Sequence, residues 1–405
     1  MFGSKRGYTL PLTIVILLII GFLSFSFYDM VKRERMESFR RYGSAYASLE
    51  FESAANYAFY RMATAKEPWR TDSLRHSSKD GKIQFIIRQV QDGAFARLTV
   101  CNRDSSKTFS SVTGYIPKAR PALVVTAPQT SVALVGDARV EGGTALKSGR
   151  INYSTNYKNR ASKDAFYDTA FVGDTLPYFD TLKYYPELSR KSFDTTFNRQ
   201  SCIFDGTDAL PEELRCATVV MQGDSRCNEC RISADRIFIR GRSTLTKANV
   251  IARTISFKDS ATAGGFFLAR DSMEIDLKLE QKNKVWFSVQ GQRKTETEYV
   301  GKLSVQKLKA TNAALLFLGD NWDETQKGIP VEITDKVDVT GTLVVNGVVD
   351  FRGKLKGHMT VSNFSFYEGE TLWRGFLKNG QIKGDTAVHI LLPDIIHFGG
   401  DPSYE

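Results

Sequence analysis

Apolar and polar residues alternate differently in successive parts of this chain. From Tyr8 to Tyr28 about 21 residues pass without a charge, and a helix rising about 1.5 Å per residue over that length spans a bilayer core, for which about 20 residues are needed. From Asp29 to Lys66 there is no proline, and Met36, Phe39, Tyr42, Tyr46, Leu49, Ser53, Tyr57 and Tyr60 recur three or four apart, the stripe of one helix face. The pattern predicts a continuous helix over 8–66 that outlasts any bilayer. Pro68 ends it.

A short β region follows, over 67–128. "GKIQFIIRQVQDGAFARLTVCNR" reads as two strands joined across Asp92-Gly93, a dipeptide suited to a tight turn, and "SSVTGYIPKARPALVVTAP" returns as another extended segment. From Gln129 to about residue 400 the runs become short and β-branched, closed by Gly, Asn or Asp, with no helical period. Such runs build a sandwich, a barrel or a stacked solenoid. Single turn residues rather than hairpin dipeptides between most runs favour the solenoid, with Ile237, Ile239, Leu245, Val250 and Ile255 as inward positions stacked rung on rung. The expected class is therefore mainly β with a long N-terminal helix, α+β overall, and a β-sandwich is the alternative. An insertion at about 151–201 breaks the pattern and crowds Tyr153, Tyr157, Tyr167, Tyr178, Tyr184 and Tyr185 into a polar stretch. Tyrosine joins a large contact area to a hydrogen-bonding tip, so Tyr157, Tyr167, Tyr184 and Tyr185 are candidate ligand-binding residues for a surface or a carbohydrate; the competing role is to cover an open solenoid end.

The residues ahead of the apolar run carry more information than the run. "SKRGYTL" sets Lys5 and Arg6 before Gly7, then Tyr8, Thr9 and Leu10. This resembles the leader and first mature residues of type IV pilins and of type II secretion pseudopilins. The resemblance implies that a prepilin peptidase removes residues 1–7 by cutting between Gly7 and Tyr8. It also implies that Leu12, Ile16, Ile20, Phe39, Tyr46 and Leu49 lie on a helix packed first against lipid and later against other pilins or pseudopilins. Leu12 occupies the fifth mature position, where most pilins carry glutamate; the K-type pseudopilin and some minor pilins also lack it, which points to a minor subunit at an end of the filament. "ASLEFESAANYAF" echoes a segment of minor pilins, and "GFLKNGQIKG" resembles rungs of bactofilin-like and parallel β-helix proteins.

Composition adds bounds. At 405 residues, 42% hydrophobic and 25% charged, the chain is globular and exceeds one ordinary domain. Its formal charge of +10 is spread out, apart from Lys32, Arg33, Arg35, Arg40 and Arg41 just past the apolar run, where anionic lipid headgroups are favoured over nucleic acid as the partner. Cys202, Cys216, Cys227 and Cys230 fall close together, with Cys101 apart. In an exported chain their default use is in disulfides, for instance Cys202 with Cys216 and Cys227 with Cys230; a zinc site lacks its second close pair. Histidines 76, 358, 389 and 397 form no ligand pair, and no phosphate loop, nucleophile elbow or dinucleotide fingerprint occurs. No catalytic residue, metal or cofactor is assigned. Asp235 with Arg236, and Asp350 with Arg352, are the pairs a polysaccharide-active β-helix enzyme would use, but such pairs are usually solvated turn charges. The expected function is a minor pilin-like or pseudopilin-like subunit, single-pass in the inner membrane with its β domain outside the cytoplasm, joining or tipping a filament and serving assembly or adhesion. The alternatives are a membrane-anchored solenoid scaffold and the enzyme just described.

Overall fold

The computed structural model describes residues 15, 17–20, 22–38, 121–127, 131–147, 149–172, 201–206, 209–293, 299–319 and 328–385. It also describes the backbone of the strands Leu74–Ser77, Gln84–Asp92, Phe95–Asn102, Thr108–Thr113, Tyr178–Phe179 and Phe398–Gly399. The chain is mainly β, with a helix at its N-terminal end, and divides into two units: Met1–Val90 with Arg97–Val112, and Gln91–Ala96 with Thr113–Glu405.

In the first unit residues 22–38 are helical, as are 15 and 17–20. Among the described residues no helix is long and apolar enough to cross a membrane; residues 8–14, 16 and 21 of the expected span lie outside them, as does the predicted helix beyond residue 38. The strands Leu74–Ser77, Gln84–Asp92, Phe95–Asn102 and Thr108–Thr113 form a four-stranded sheet, the first two antiparallel.

The second unit is a parallel ladder wound into solenoid-like rungs. Each regular rung has three short faces, seen in Arg231–Ala234, Arg236–Ile239 and Thr244–Thr246, and each face pairs in parallel with its counterpart about one rung later. Parallel pairing from rung to rung is the solenoid arrangement, and a sandwich of antiparallel sheets lacks it. One column of register partners runs Leu214, Ile232, Val250, Phe267, Phe287, Leu315, Leu343, Met359, Leu123, Thr144, Ala170. Leu123–Val125, which the sequence pattern groups with the antiparallel region, is thus a strand of the ladder.

The expected inward residues Ile237, Ile239, Leu245, Val250 and Ile255 are all at most 2% exposed and share one continuous core with Phe257, Phe267, Phe287 and Phe317. The rings of Phe257 and Phe267 meet edge to face at 4.9 Å, and those of Phe267 and Phe287 stack at 5.7 Å, separations at which aromatic pairs attract beyond their buried area.

The corners explain the glycine punctuation. Gly206, Gly223, Gly241 and Asp259 stack at one corner, all with positive φ, and Glu229, Lys247 and Gly265 stack at another. At Gly241 (φ 72°) a Cβ would stand 2.9 Å from the Gly223 nitrogen, so both conformation and space demand glycine. Glu229 and Lys247 accept the strained corner and pair with each other, Nζ to Oε1 at 2.6 Å. That lysine, through its hydrogen bond and its charge, holds the Glu229 carboxyl below its ordinary pKa.

Candidate functional site

Two surfaces carry the candidate chemistry: a polar groove at one corner of the ladder and an aromatic surface on its last rung. The groove arises because strand alternation sends Val331, Ile333, Val349 and Phe351 into the core and leaves Glu332 and Asp350, register partners, side by side outside. Thr334 turns the corner, its Oγ1 donating to the Gln306 carbonyl at 2.5 Å. Arg352, fixed by its backbone N–H to the Ile333 carbonyl at 2.9 Å, turns back onto Asp350: Nε donates to Oδ1 at 2.9 Å and Nη2 to Oδ2 at 2.7 Å. With Gln306, Asp335 and Asn379 these residues enclose a groove of about 460 Å³.

The hydrogen bonds to Asp350, and then the charges of Asp350, Asp335 and Glu332, hold the Arg352 guanidinium above its ordinary pKa against the opposing effect of burial. Both carboxylate oxygens of Asp350 accept from one guanidinium in a two-pronged pair, which commits the side chain to that contact. Asp235 is engaged more loosely: Arg253 donates to its Oδ1 at 3.3 Å while reaching Asp271 at 2.9 Å, and Arg236 stands 3.8 Å away. Among the described residues no three His, Cys, Asp or Glu side chains are grouped to hold a metal ion.

On the last rung the strands Ile151–Tyr153 and Phe166–Tyr167 bring Tyr153 and Tyr167 together, ring centroids 5.1 Å apart and tilted by 43°. Tyr167 is partly buried and packs on the end of the core, the role of a cover. Tyr157 is 85% exposed, with the Lys158 ammonium 5.7 Å from its ring. Phe166 is exposed beneath the Arg139 guanidinium at 5.8 Å. Tyr184 and Tyr185 lie outside the described residues.

Beside this surface is a contact that no local motif signals. Asn159, 2% exposed, donates from Nδ2 to Glu368 Oε2 at 2.9 Å, and Lys378 Nζ donates to Asn159 Oδ1 at 3.3 Å and to Glu368 Oε1 at 3.4 Å while lying 4.4 Å from the Phe366 ring centroid. The three residues are over 200 positions apart at the extreme, so sequence reasoning had no spacing to find them by.

The cysteines pair as Cys202 with Cys216 and Cys227 with Cys230, Cα atoms 6.2 and 5.8 Å apart, inside the range a disulfide can bridge. The first ties the edge strand Ser201–Phe204 to its neighbour Glu213–Met221. Of the helix positions, Ile20 is 53% exposed, while Gly7, Tyr8, Leu12, Ile16, Phe39, Tyr46 and Leu49 lie outside the described residues. No protein family, curated protein or solved structure matches this chain.

Proposed function

We propose that the protein is a structural subunit, minor pilin-like or pseudopilin-like, whose N-terminal helix lies in the inner membrane and then among the helices of a filament, and whose parallel β unit is displayed outside the cytoplasm. One observation carries this. Leu17, Leu18, Ile19 and Ile20 are each more than half exposed, and at 3.6 residues per turn four successive residues point to all sides of a helix. Phe22, Leu23, Phe25 and Phe27 continue the pattern at 60–70% exposure. A helix apolar all round belongs in lipid or in a bundle of other helices, and it satisfies its own backbone in either setting. Beyond Tyr28 the helix turns polar, with an Arg33–Asp29 ion pair at 2.9 Å, as a segment leaving hydrocarbon would.

The Lys5–Arg6–Gly7–Tyr8 junction supports a prepilin peptidase as the processing partner, and Leu12 supports an end position. The two-pronged Asp350–Arg352 pair weighs toward structure and away from polysaccharide cleavage. The exposed Tyr157 and Phe166 supply a contact surface for adhesion.

The test is to shear and purify filaments from cells carrying a tagged chain, and to sequence the N-terminus of the membrane-extracted protein. A mature start at Tyr8 and co-purification of the tag are expected. An intact Met1, with the tag retained in the membrane and unchanged pilus number on deletion, transfers the reading to an anchored scaffold.

A further inference from the structure

The ladder is continuous in space where the chain is not. After Met359–Val361 the chain supplies Phe376–Lys378 and then Gln381–Lys383, two faces of a rung. The third face, next to Met359–Val361, is filled by Leu123–Val125 from the far end of the sequence. From there the same winding goes on: Val132–Val135 stacks on Phe376–Lys378, Arg139–Glu141 on Gln381–Lys383, and Thr144–Leu146 on Leu123–Val125. The join is close. The Gly384 N–H donates to the Glu141 carbonyl at 2.7 Å and the Ala122 N–H to the Gly142 carbonyl at 3.1 Å, and a Cβ built on Gly384 would lie 3.2 Å from the Ala122 Cβ.

Residues 121–172 therefore continue a solenoid begun by 201–383, in the position a longer C-terminal end would take. Val172 ends on the last rung and Ser201 begins on the first, about ten ladder steps or roughly 48 Å apart at the usual strand spacing. The intervening chain, 173–200, reaches up to about 90 Å when extended, well beyond that need. The strands of the segment are short, three residues in Leu123–Val125 and four in Val132–Val135, against nine in Arg231–Ile239 and fifteen in Lys354–Glu368. Short strands at the end of a ladder open before the middle does. Their seat is built from this chain's own sequence, so another copy's segment fits it equally well, and exchange of an identical element is a low-cost route to association.

We propose that residues 121–172 are an exchangeable segment that completes either its own solenoid or that of a second copy of this chain. The proposal stands on topology and is independent of the filament reading.

Val124 and Thr360 are register partners and test it in the full-length chain, with Cys101→Ser in every variant. Val124→Cys and Thr360→Cys chains, one of them size-tagged, are mixed in mild urea, refolded together and oxidised. A reducible heterodimer is expected, its share rising with protein concentration during refolding. Val124→Cys mixed with Phe238→Cys, whose ring faces solvent on a distant rung, is expected to stay monomeric. The double variant Val124→Cys/Thr360→Cys reports native seating by closing an internal loop when dilute. If that loop closes while the mixture gives no heterodimer at any concentration, exchange does not occur. If the Phe238→Cys mixture dimerises equally, the cross-link is collisional and the proposal falls; if the internal loop never closes, the seat itself is wrong and it falls too.

Discussion

The rungs of Glu213–Asp259 and those of Gly265–Glu368 share one ladder and one core but differ on their outer side. In the first, inward Ile232, Ala234, Ile237 and Ile239 are buried while outward Arg231, Arg236 and Phe238 are exposed, and partners such as Asp224–Arg242, Glu229–Lys247 and Asp235–Arg253 recur 18 residues apart. In the second, outward Leu268, Ser288, Leu316, Val344 and Thr360, one register column, are as buried as the inward column, and the run Ala313–Leu318 is at most 3% exposed throughout, while Glu274, Asp338 and Lys354 elsewhere on the rungs stay exposed. Register partners there lie variously 20, 30 or 16 positions apart. Parallel strands exposed on one side alternate in sequence; those covered on both sides read as unbroken apolar runs.

The strongest way to break the comparison is to place a charge at one outward position of each region. Leu316→Asp is expected to cost about 4 kcal/mol or more, because a carboxylate would be buried without a partner, while Phe238→Asp stays within about 0.5 kcal/mol. Urea unfolding midpoints measure both, and similar midpoints would mean the second region's outer side is open. Next in size, Gly241→Ala should cost on the order of 2 kcal/mol, since the regular rungs rely on a left-handed corner that a Cβ disfavours; a neutral result would show that the corner relaxes.

Two buried serines sharpen the contrast. Ser243 Oγ donates to the Arg240 carbonyl at 2.7 Å, whereas Ser288 Oγ, equally buried, has no hydrogen-bond partner among the described residues. Ser243→Ala is expected to destabilise by about 1 kcal/mol and Ser288→Ala to stabilise by a comparable amount. The same sign for both would overturn the assignment.

The smallest expected effect concerns Glu368, whose carboxyl the Asn159 amide holds below its ordinary pKa, with Lys378 adding to the shift against desolvation. A lowered folded pKa contributes stability that is present above the unfolded value and is lost as pH falls through the folded one. The gap in urea midpoint between the native chain and Glu368→Gln should be constant near neutrality and shrink below about pH 4, the ordinary glutamate range. A gap that widens on acidification would contradict the sign.

What could be read in advance follows the same division. Where one side faces water, alternation marked Ile237, Ile239, Leu245, Val250 and Ile255 as inward, and all are. In "AALLFL" every position is apolar, so no local pattern separates Leu315, which joins the core, from Leu316, which does not. The 18-residue period stayed hidden because few rungs keep it. Pairing of Leu123 with Met359, and the meeting of Asn159, Glu368 and Lys378, are set by topology, which leaves no trace in nearby residues. The tyrosines were visible as a cluster, but only rung geometry separates Tyr167, which packs on the core, from Tyr157, which does not.

The stacking of like positions also fixes how substitutions will depend on one another. Along a single strand the next residue on the same face is two positions away, but the atoms it touches belong to the rungs above and below. In a scan of paired substitutions across Glu213–Asp271, non-additive effects should therefore gather at a separation of 18, at Asp224 with Arg242, Glu229 with Lys247, and Arg253 with both Asp235 and Asp271. Past Leu277 that diagonal should dissolve into several offsets, and a separate band should link residues near 123 to those near 360. The contact order of the fold would then be recoverable from phenotype alone.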